Sequence, residues 1–529
     1  MKRNLLYFIL CVNLLASMTG CYDDQSTEAS IVIPEIEIDT TGIKSELAVT
    51  RYQRLQLNPS VSKEGTDPSD LSYKWMLSLA PVTFATTSFK EDRYLCIGEE
   101  MTLDAEITRD DNETPYRLWY QVTDNTTGLR KDIVWDLRVK APYGEGLLIA
   151  ESHDNGTTAD FALIEGERFT VDYEEGTTPK ITHNLFSKAN EGQKINSDVT
   201  QVCAFRCKLK SPYIKYFGLI GEGEDKYLLM DKNYKVLFRN EEGFFDGALE
   251  DELKPTQIFS FNGRYYTIIT NGYLHGIDLE GTDSYDMKWG MPFKNSQVGR
   301  YAAVGSHLGV GYFNYPSWHL SYDPIKGAFY SILNQVWQPH QAFYMACSGT
   351  VGNINLANCP NLETVATGLA AGDWAYLLMR NKETGKYFIV GQGKYDTAPK
   401  RYYSIPDCEL DNAISYAVSD KGNVFYFATK TDVWAIQLQS DPVRVVNIYS
   451  AEDEITHMSF LRQAKTTTDY YSPDLITSSY LMLIATYDGS KGKLTTIPLL
   501  NTSTGELDAS LVESYEGFGK ILTTVHQYP

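Results

Sequence analysis

The chain has 529 residues with Lys+Arg 47 against Asp+Glu 68, a formal net charge of −21. That acidic surplus argues against nucleic acid or anionic lipid headgroups as ligands, because both are held by basic patches. The length calls for two or three domains, and 39 Gly, 37 Tyr and 22 Phe without long helical periodicity read as mostly β.

Residues 1–20 read as a signal peptide. Lys2 and Arg3 precede an apolar core from Leu5 to Ala16, too short for the roughly 20 apolar residues of a membrane-spanning helix. Thr19-Gly20-Cys21 then resembles the bacterial lipobox, although Met18 stands where Leu is commoner. An ordinary signal peptide with a coincidental cysteine is the alternative. In the lipobox reading Cys21 becomes the lipid-attachment residue, and two or more acyl chains of the palmitate kind anchor it stably. Residues 21–30 are then a polar tether.

Residues 31–141 carry short alternating strands. They fall at Ile36–Ile38, Arg54–Leu57, Tyr73–Met76, Met101–Leu103, Arg117–Val122 and Ile133–Leu137, separated by Asn-Pro, Asp-Pro and Thr-Gly turns. About seven strands in this span fit an immunoglobulin-like sandwich, with Trp75 in its core. Ala141-Pro142-Tyr143-Gly144-Glu145-Gly146 breaks the pattern and marks a domain boundary.

From 145 to 529 one device repeats: two apolar strands around a polar turn. It occurs at Lys226–Phe238, Tyr265–Leu279, Asp323–Tyr330, Tyr376–Val390, Tyr416–Trp434 and Leu481–Leu499. Turns such as Asn271-Gly272 supply the positive φ angles of tight hairpins. Imperfect hairpin repeats at about 50 residues per unit predict a β-propeller of about seven blades. Stacked β-sandwiches or an irregular barrel are the alternatives.

The expected fold is therefore all-β, an immunoglobulin/PKD-like sandwich followed by a propeller. The lipobox, Leu118-Trp119-Tyr120-Gln121-Val122-Thr123-Asp124 and Gly144-Glu145-Gly146-Leu147-Leu148-Ile149-Ala150-Glu151 resemble the PKD-like family of Bacteroidota lipoproteins over most of the mature chain. Tyr22-Asp23-Asp24 resembles the acidic signal that sends such lipoproteins to the cell exterior. The resemblance implies a lipid-anchored outer-membrane protein facing outward, accompanying a starch-utilisation-type importer of glycans or peptides. It carries over no functional residue beyond Cys21.

Cys96, Cys203, Cys207, Cys347, Cys359 and Cys408 form an even set that permits disulfides outside the cytoplasm. Cys203–Cys207 and Cys347–Cys359 are the candidate bridges, and the spacing offers no zinc set. No metal or other cofactor is expected. His-Glu-x-x-His, a phosphate loop and Gly-x-Ser-x-Gly are absent; Gly517-Phe518-Gly519-Lys520 and Gly305-Ser306-His307 have the wrong spacing. Asp420-Lys421-Gly422-Asn423-Val424-Phe425 resembles half of a sialidase Asp-box, with Ser419 one place too close. Such boxes are blade hairpins, so this bears on fold more than activity, and the chain is expected not to be an enzyme.

The densest binding feature is Gly311–Asp323 with Val336–Tyr344. Tyr312, Tyr315, Trp318, His319, Trp337, His340 and Tyr344 combine flat apolar faces with hydrogen-bonding edges, as small-molecule sites do, and Pro316 and Pro339 mark loops. Packing of these rings between blades is the bland alternative. Tyr402-Tyr403 and Tyr470-Tyr471 are second choices. The function expected is capture of a polymer fragment, glycan or peptide. A propeller hydrolase or lyase, or a purely structural subunit, are the other readings.

Overall fold

The computed structural model describes residues 34–82, 91–112, 114–171, 173–207, 214–260, 265–278, 287–295, 304, 318–333, 341–463 and 475–527. The chain divides into two compact units, Met1–Pro142 and Tyr143–Pro529.

The first unit is built on a five-stranded sheet. Its order is Glu46–Thr50, Arg130–Lys140, Tyr116–Asp124, Leu71–Ser78 and Tyr94–Gly98, with Glu46–Thr50 joined parallel and the rest antiparallel. Two further antiparallel pairs, Glu37–Asp39 with Ser60–Ser62 and Arg54–Leu57 with Leu103–Glu106, complete it. Alternation sets the faces, since Trp135, Leu137 and Val139 point inward between exposed neighbours. Trp75 is fully buried, with the Tyr120 ring 4.0 Å and the Trp135 ring 5.8 Å away.

The second unit holds seven sheets of three or more strands among the described residues. Sheet A orders Lys180–Thr182, Asp160–Glu165, Gly146–Ser152 and Lys520–Gln527. Sheet B runs Ser197–Cys207, Ile214–Gly223, Tyr227–Asp231 and Val236–Arg239, and sheet C runs Pro255–Ser260, Tyr265–Thr270 and Tyr273–Asp278. Sheet D orders Lys294–Asn295, Gln341–Ala346, Ala328–Leu333 and Trp318–Asp323. Sheet E runs Leu362–Ala370, Trp374–Asn381, Tyr387–Gly393 and Arg401–Ser404. Sheet F runs Ser415–Val418, Val424–Ala428, Asp432–Gln437 and Arg444–Ser450. Sheet G contains Glu454–Phe460, Leu481–Tyr487, Gly492–Asn501 and Glu513–Phe518. The hairpins read from the sequence lie inside these sheets; at one of them Asn271 and Gly272 both take positive φ, the geometry of a type I′ turn.

Each sheet is buried on both faces, and period-two alternation divides its side chains between two neighbours. In Leu481–Tyr487, Leu481, Leu483 and Ala485 pack toward sheet A while Met482 and Ile484 pack toward sheet F. Seven apolar clusters join A to B, B to C, C to D, D to E, E to F, F to G, and G back to A. The cycle is closed, which is a β-propeller. Its seal is strand Lys520–Gln527, paired antiparallel with Gly146–Ser152 from Gly146 opposite Gln527 to Ser152 opposite Lys520. Polar side chains tie neighbouring sheets together: Gln201 bonds both backbone groups of Ile258, Ser415 donates to Met458 O, and Thr456 donates to Ile521 O.

Cys96, Cys203, Cys347, Cys359 and Cys408 are free thiols, so neither candidate bridge forms. Cys347 and Cys359 sit in the apolar cluster between sheets D and E, where burial pushes both thiols up to about 11. They act there as small apolar core residues.

Candidate functional site

Of the residues singled out for ligand binding, Tyr312, Tyr315, Trp337 and His340 lie outside the described residues, as do Cys21 and Tyr470-Tyr471. The structure places two of the others between sheets. Tyr344 is 1% exposed in the cluster between sheets C and D, and burial pushes its phenol well above the usual range. His319 is fully buried on the face it shares with its cross-strand partner Ile332. Both side chains belong to intersheet packing, because a strand buried on both faces sends each side chain into the core on one side or the other. Trp318 differs. It is half-buried at the start of its strand, and its backbone N–H donates to Lys394 O at 3.0 Å, which brings it to one end of sheet E.

That end of sheet E carries the best-built polar and aromatic constellation among the described residues. Leu362–Ala370 returns into Trp374–Asn381 through a tight turn in which Gly372 and Asp373 both take positive φ. Trp374 follows at once, half-buried against the apolar cluster between sheets E and F. The Arg401 guanidinium carbon stands 3.5 Å from the centre of the Trp374 ring, a cation–π contact. Arg401 Nη1 donates to the Tyr376 hydroxyl at 2.7 Å and to Asn423 Oδ1 at 3.4 Å, and the Tyr376 hydroxyl donates to Asn423 Oδ1 at 3.1 Å. Asn423 belongs to sheet F, so the constellation spans two sheets.

A glycine makes this geometry. Gly391 stands opposite both Tyr376 and Arg401 in the sheet. A Cβ there would come within 2.4 Å of the Tyr376 ring and 3.2 Å of Arg401 Cβ. The Tyr376 ring therefore lies across bare backbone, and its hydroxyl reaches the guanidinium. Tyr376 is fully buried, so its phenol is pushed up and remains a neutral donor.

Around this centre the lysines are matched with acids. Lys394 meets Asp373 at 3.5 Å, Lys421 meets Asp420 at 3.9 Å, and Lys400 pairs with Asp396. Lys394 also stands 5.6 Å from the ring of Tyr395, which is 77% exposed. Tyr402 is drawn away, stacked on Phe388 with Gly352 against its face, and Tyr403 meets Tyr376 edge-on. No group of three or more His, Cys, Asp or Glu among the described residues is arranged to hold a metal ion. No helix among them is long and apolar enough to cross a membrane.

Comparison with known proteins bears on the first third of the chain. Residues 21–198 match the PKD-like family model. The PKD-like match spans the first unit and runs through the opening strands of the propeller, past Gly146–Ser152 and Asp160–Glu165. No curated protein matches. Among solved structures the chain is similar to a quinonprotein alcohol dehydrogenase-like protein from Bacteroides thetaiotaomicron, with 12% identity and a TM-score of 0.44 over 93% of this chain and 96% of that one. It is also similar to the WD40 domain of SCAP from fission yeast, with 10% identity and a TM-score of 0.33 over 61% and 74%. A DUF4784 family protein from Bacteroides caccae gives 9% identity and a TM-score of 0.29 over 79% and 96%. At such identities and TM-scores none of these lends its chemistry to this chain.

Trp374, Tyr395 and Arg401 escape sequence reading, because they lie in three separate loops and strands. The one local signal is Gly372-Asp373-Trp374, a turn motif that delivers an aromatic ring.

Proposed function

We propose that this is a lipid-anchored protein of the outer cell surface whose propeller captures a polymer fragment, glycan or peptide, for an outer-membrane importer. The lipobox at Cys21 supports the anchor. The observation that carries the binding role is the polar and aromatic constellation at the end of sheets E and F. There Arg401 lies over the Trp374 ring and is held by Tyr376 and Asn423, and the exposed Tyr395 follows the neighbouring strand Tyr387–Gly393. A ligand meeting this constellation finds aromatic side chains and fixed donors, so little order has to be created on binding. In this reading the ligand is held and passed on unchanged, since the nearby Asp373, Asp396 and Asp420 are engaged by lysines and not poised as an acid and a base.

The test is retention of oligosaccharides and peptides on an array by the purified protein, with Trp374→Ala and Tyr395→Ala alongside. The expected outcome is one retained ligand class that both substitutions weaken while each variant still unfolds cooperatively. Retention that survives both substitutions would move the site elsewhere, and product formation from the retained ligand would replace capture with catalysis.

A further inference from the structure

A cavity of about 240 Å³ opens between sheets G and A. It lies at the same end of the propeller as Trp374, since Leu481 in its lining begins the second strand of sheet G as Trp374 begins that of sheet E. Leu481, Pro498 and Tyr480 supply its apolar lining, and Glu167 and Glu513 its carboxylates. Pockets that enclose a whole drug-sized ligand have about 300–1,000 Å³, so this one has room for a single side chain.

Arg168 builds the cavity from the side of sheet A. Its Nη1 donates to Thr496 O at 3.2 Å and to Thr496 Oγ1 at 2.8 Å, and its Nη2 to Leu511 O at 2.7 Å. Its own carbonyl accepts the Thr477 hydroxyl at 2.7 Å. Three segments of sheet G are thereby fixed around the opening. The Arg168 charge is met by Glu513 at 2.9 Å, and Glu513 also accepts the Tyr515 hydroxyl. Glu167 differs: it is exposed, and no ion pair or hydrogen bond engages its side chain among the described residues. The cavity therefore carries one uncompensated negative charge.

Its rim is aliphatic. Ile476 is 90% exposed, and Leu500, Leu511 and Val512 are exposed as well, each within two residues of a lining residue. Apolar side chains grouped in this way mark an interaction surface. The turn 419–423 of sheet F joins the cavity to the constellation beside it. Asn423 accepts from Arg401, Ser419 Oγ donates to Ser479 O at 2.6 Å, and Lys421 Nζ stands 5.5 Å from the Tyr480 ring. Lys421 is paired with Asp420 at 3.9 Å, and Tyr480 stays 42% exposed beside it. Arg462 is drawn toward sheets E and F, where it donates to Leu369 O and Val418 O. Neither cation answers Glu167 among the described residues.

We infer that the captured polymer is a peptide, with the cavity receiving a lysine or arginine side chain and the rim its aliphatic neighbours. Such a side chain has an apolar stem and a charged head. The stem matches Tyr480, Leu481 and Pro498, and the head matches Glu167. A glycan fits this surface poorly, because aliphatic side chains offer its hydroxyls no hydrogen bonds. This inference rests on the capture role proposed above and names its ligand class.

The experiment measures binding of the intact protein to short capped peptides and to malto-oligosaccharides. Each peptide sets one variable residue, Lys, Arg, Met or Glu, among leucines and alanines. The Lys or Arg peptide should bind about three- to fivefold more tightly than the Met peptide, the scale of an exposed ion pair. Glu167→Gln should erase that preference and leave the Met peptide unchanged, while Tyr480→Ala should weaken every peptide. Thermal unfolding of each variant shows that it is folded. Equal binding of the Lys, Arg and Met peptides, or a preference that survives Glu167→Gln, would overturn the basic-peptide assignment. Binding of oligosaccharides alone, lost in Trp374→Ala, would overturn it as well and leave capture standing. A basic preference untouched by Trp374→Ala would support the cavity and remove Trp374 from the capture site. Binding of neither class would overturn both.

Discussion

Glu151, fully buried, accepts His183 Nδ1 at 2.8 Å on one carboxylate oxygen and the backbone N–H of Gly519 at 2.7 Å on the other. His153 Nε2 lies 3.6 Å from the same carboxylate. Gly519 leads directly into Lys520–Gln527, so this carboxylate clasps the strand that seals the ring. The hydrogen bond to Glu151 raises the His183 pKa above the usual histidine value, reinforced by charge from Glu151 and Asp160. A raised folded value makes this contribution complete below about pH 6.5 and loses it as pH climbs through the folded pKa. The difference in melting temperature between the native protein and His183→Gln should therefore shrink from pH 6 to pH 9. Glu151→Gln should cost about 3 kcal/mol, as breaking a buried ionic contact does, measured by denaturant unfolding.

Two other histidines carry the opposite sign. Burial lowers His275 and His457 to about 4. Their contribution is present above about pH 6.5 and is lost as pH falls toward 4. His457→Phe should flatten the acid side of the melting profile without touching the alkaline side.

Tyr376 and Gly391 give a steric prediction. Gly391→Ala places a methyl group against the Tyr376 ring, and overpacking of this kind costs about 1–3 kcal/mol. It should also weaken ligand retention, because the ring can no longer bring its hydroxyl to Arg401. Tyr376→Phe keeps the ring and removes the hydroxyl, so it should weaken retention with a smaller loss of stability.

In the first unit Lys63 and Asp124 form an ion pair with side chains only 3% and 1% exposed. Hydrogen bonds from Lys63 and then Thr127 hold the Asp124 carboxyl far below its usual value. That stabilisation is present above the unfolded value near pH 3.9 and is lost as pH falls toward the depressed one. Asp124→Asn should lower the denaturation midpoint of residues 34–142 expressed alone and weaken its acid dependence, read by tryptophan fluorescence.

Cys21→Ser tests the anchor. The native protein should label with palmitate and sediment with membranes; the variant should do neither, with the same folded-state spectrum.

The sequence reveals strands best where burial is two-sided. Leu481–Tyr487 and Val424–Ala428 are near-continuous apolar runs, and the turns between such runs carry Gly or Asn for conformational reasons that stand alone. Edge strands are harder. Tyr94–Gly98 holds no buried residue and lies at the end of its sheet, and Met101 precedes its strand, which begins at Leu103. The binding residues are harder again. A local density of aromatics drew attention to Tyr344 and His319, yet two-sided burial sends such residues into intersheet cores. The constellation depends on register, with Gly391 opposite Tyr376 and Arg401 and Asn423 reaching across from the next sheet. Register across strands is not written in any short window of sequence.

The pairing of Gly146–Ser152 with Lys520–Gln527 also sets a schedule. During synthesis the N-terminal partner waits for nearly the entire unit before its mate emerges, and contacts this remote in sequence form slowly. Until then Leu147 and Ile149 lack Ile521 in their cluster, and the first-made sheet is the last to be finished. Losing only the terminal strand would thus injure the earliest part of the propeller, with damage surfacing far upstream of the lesion.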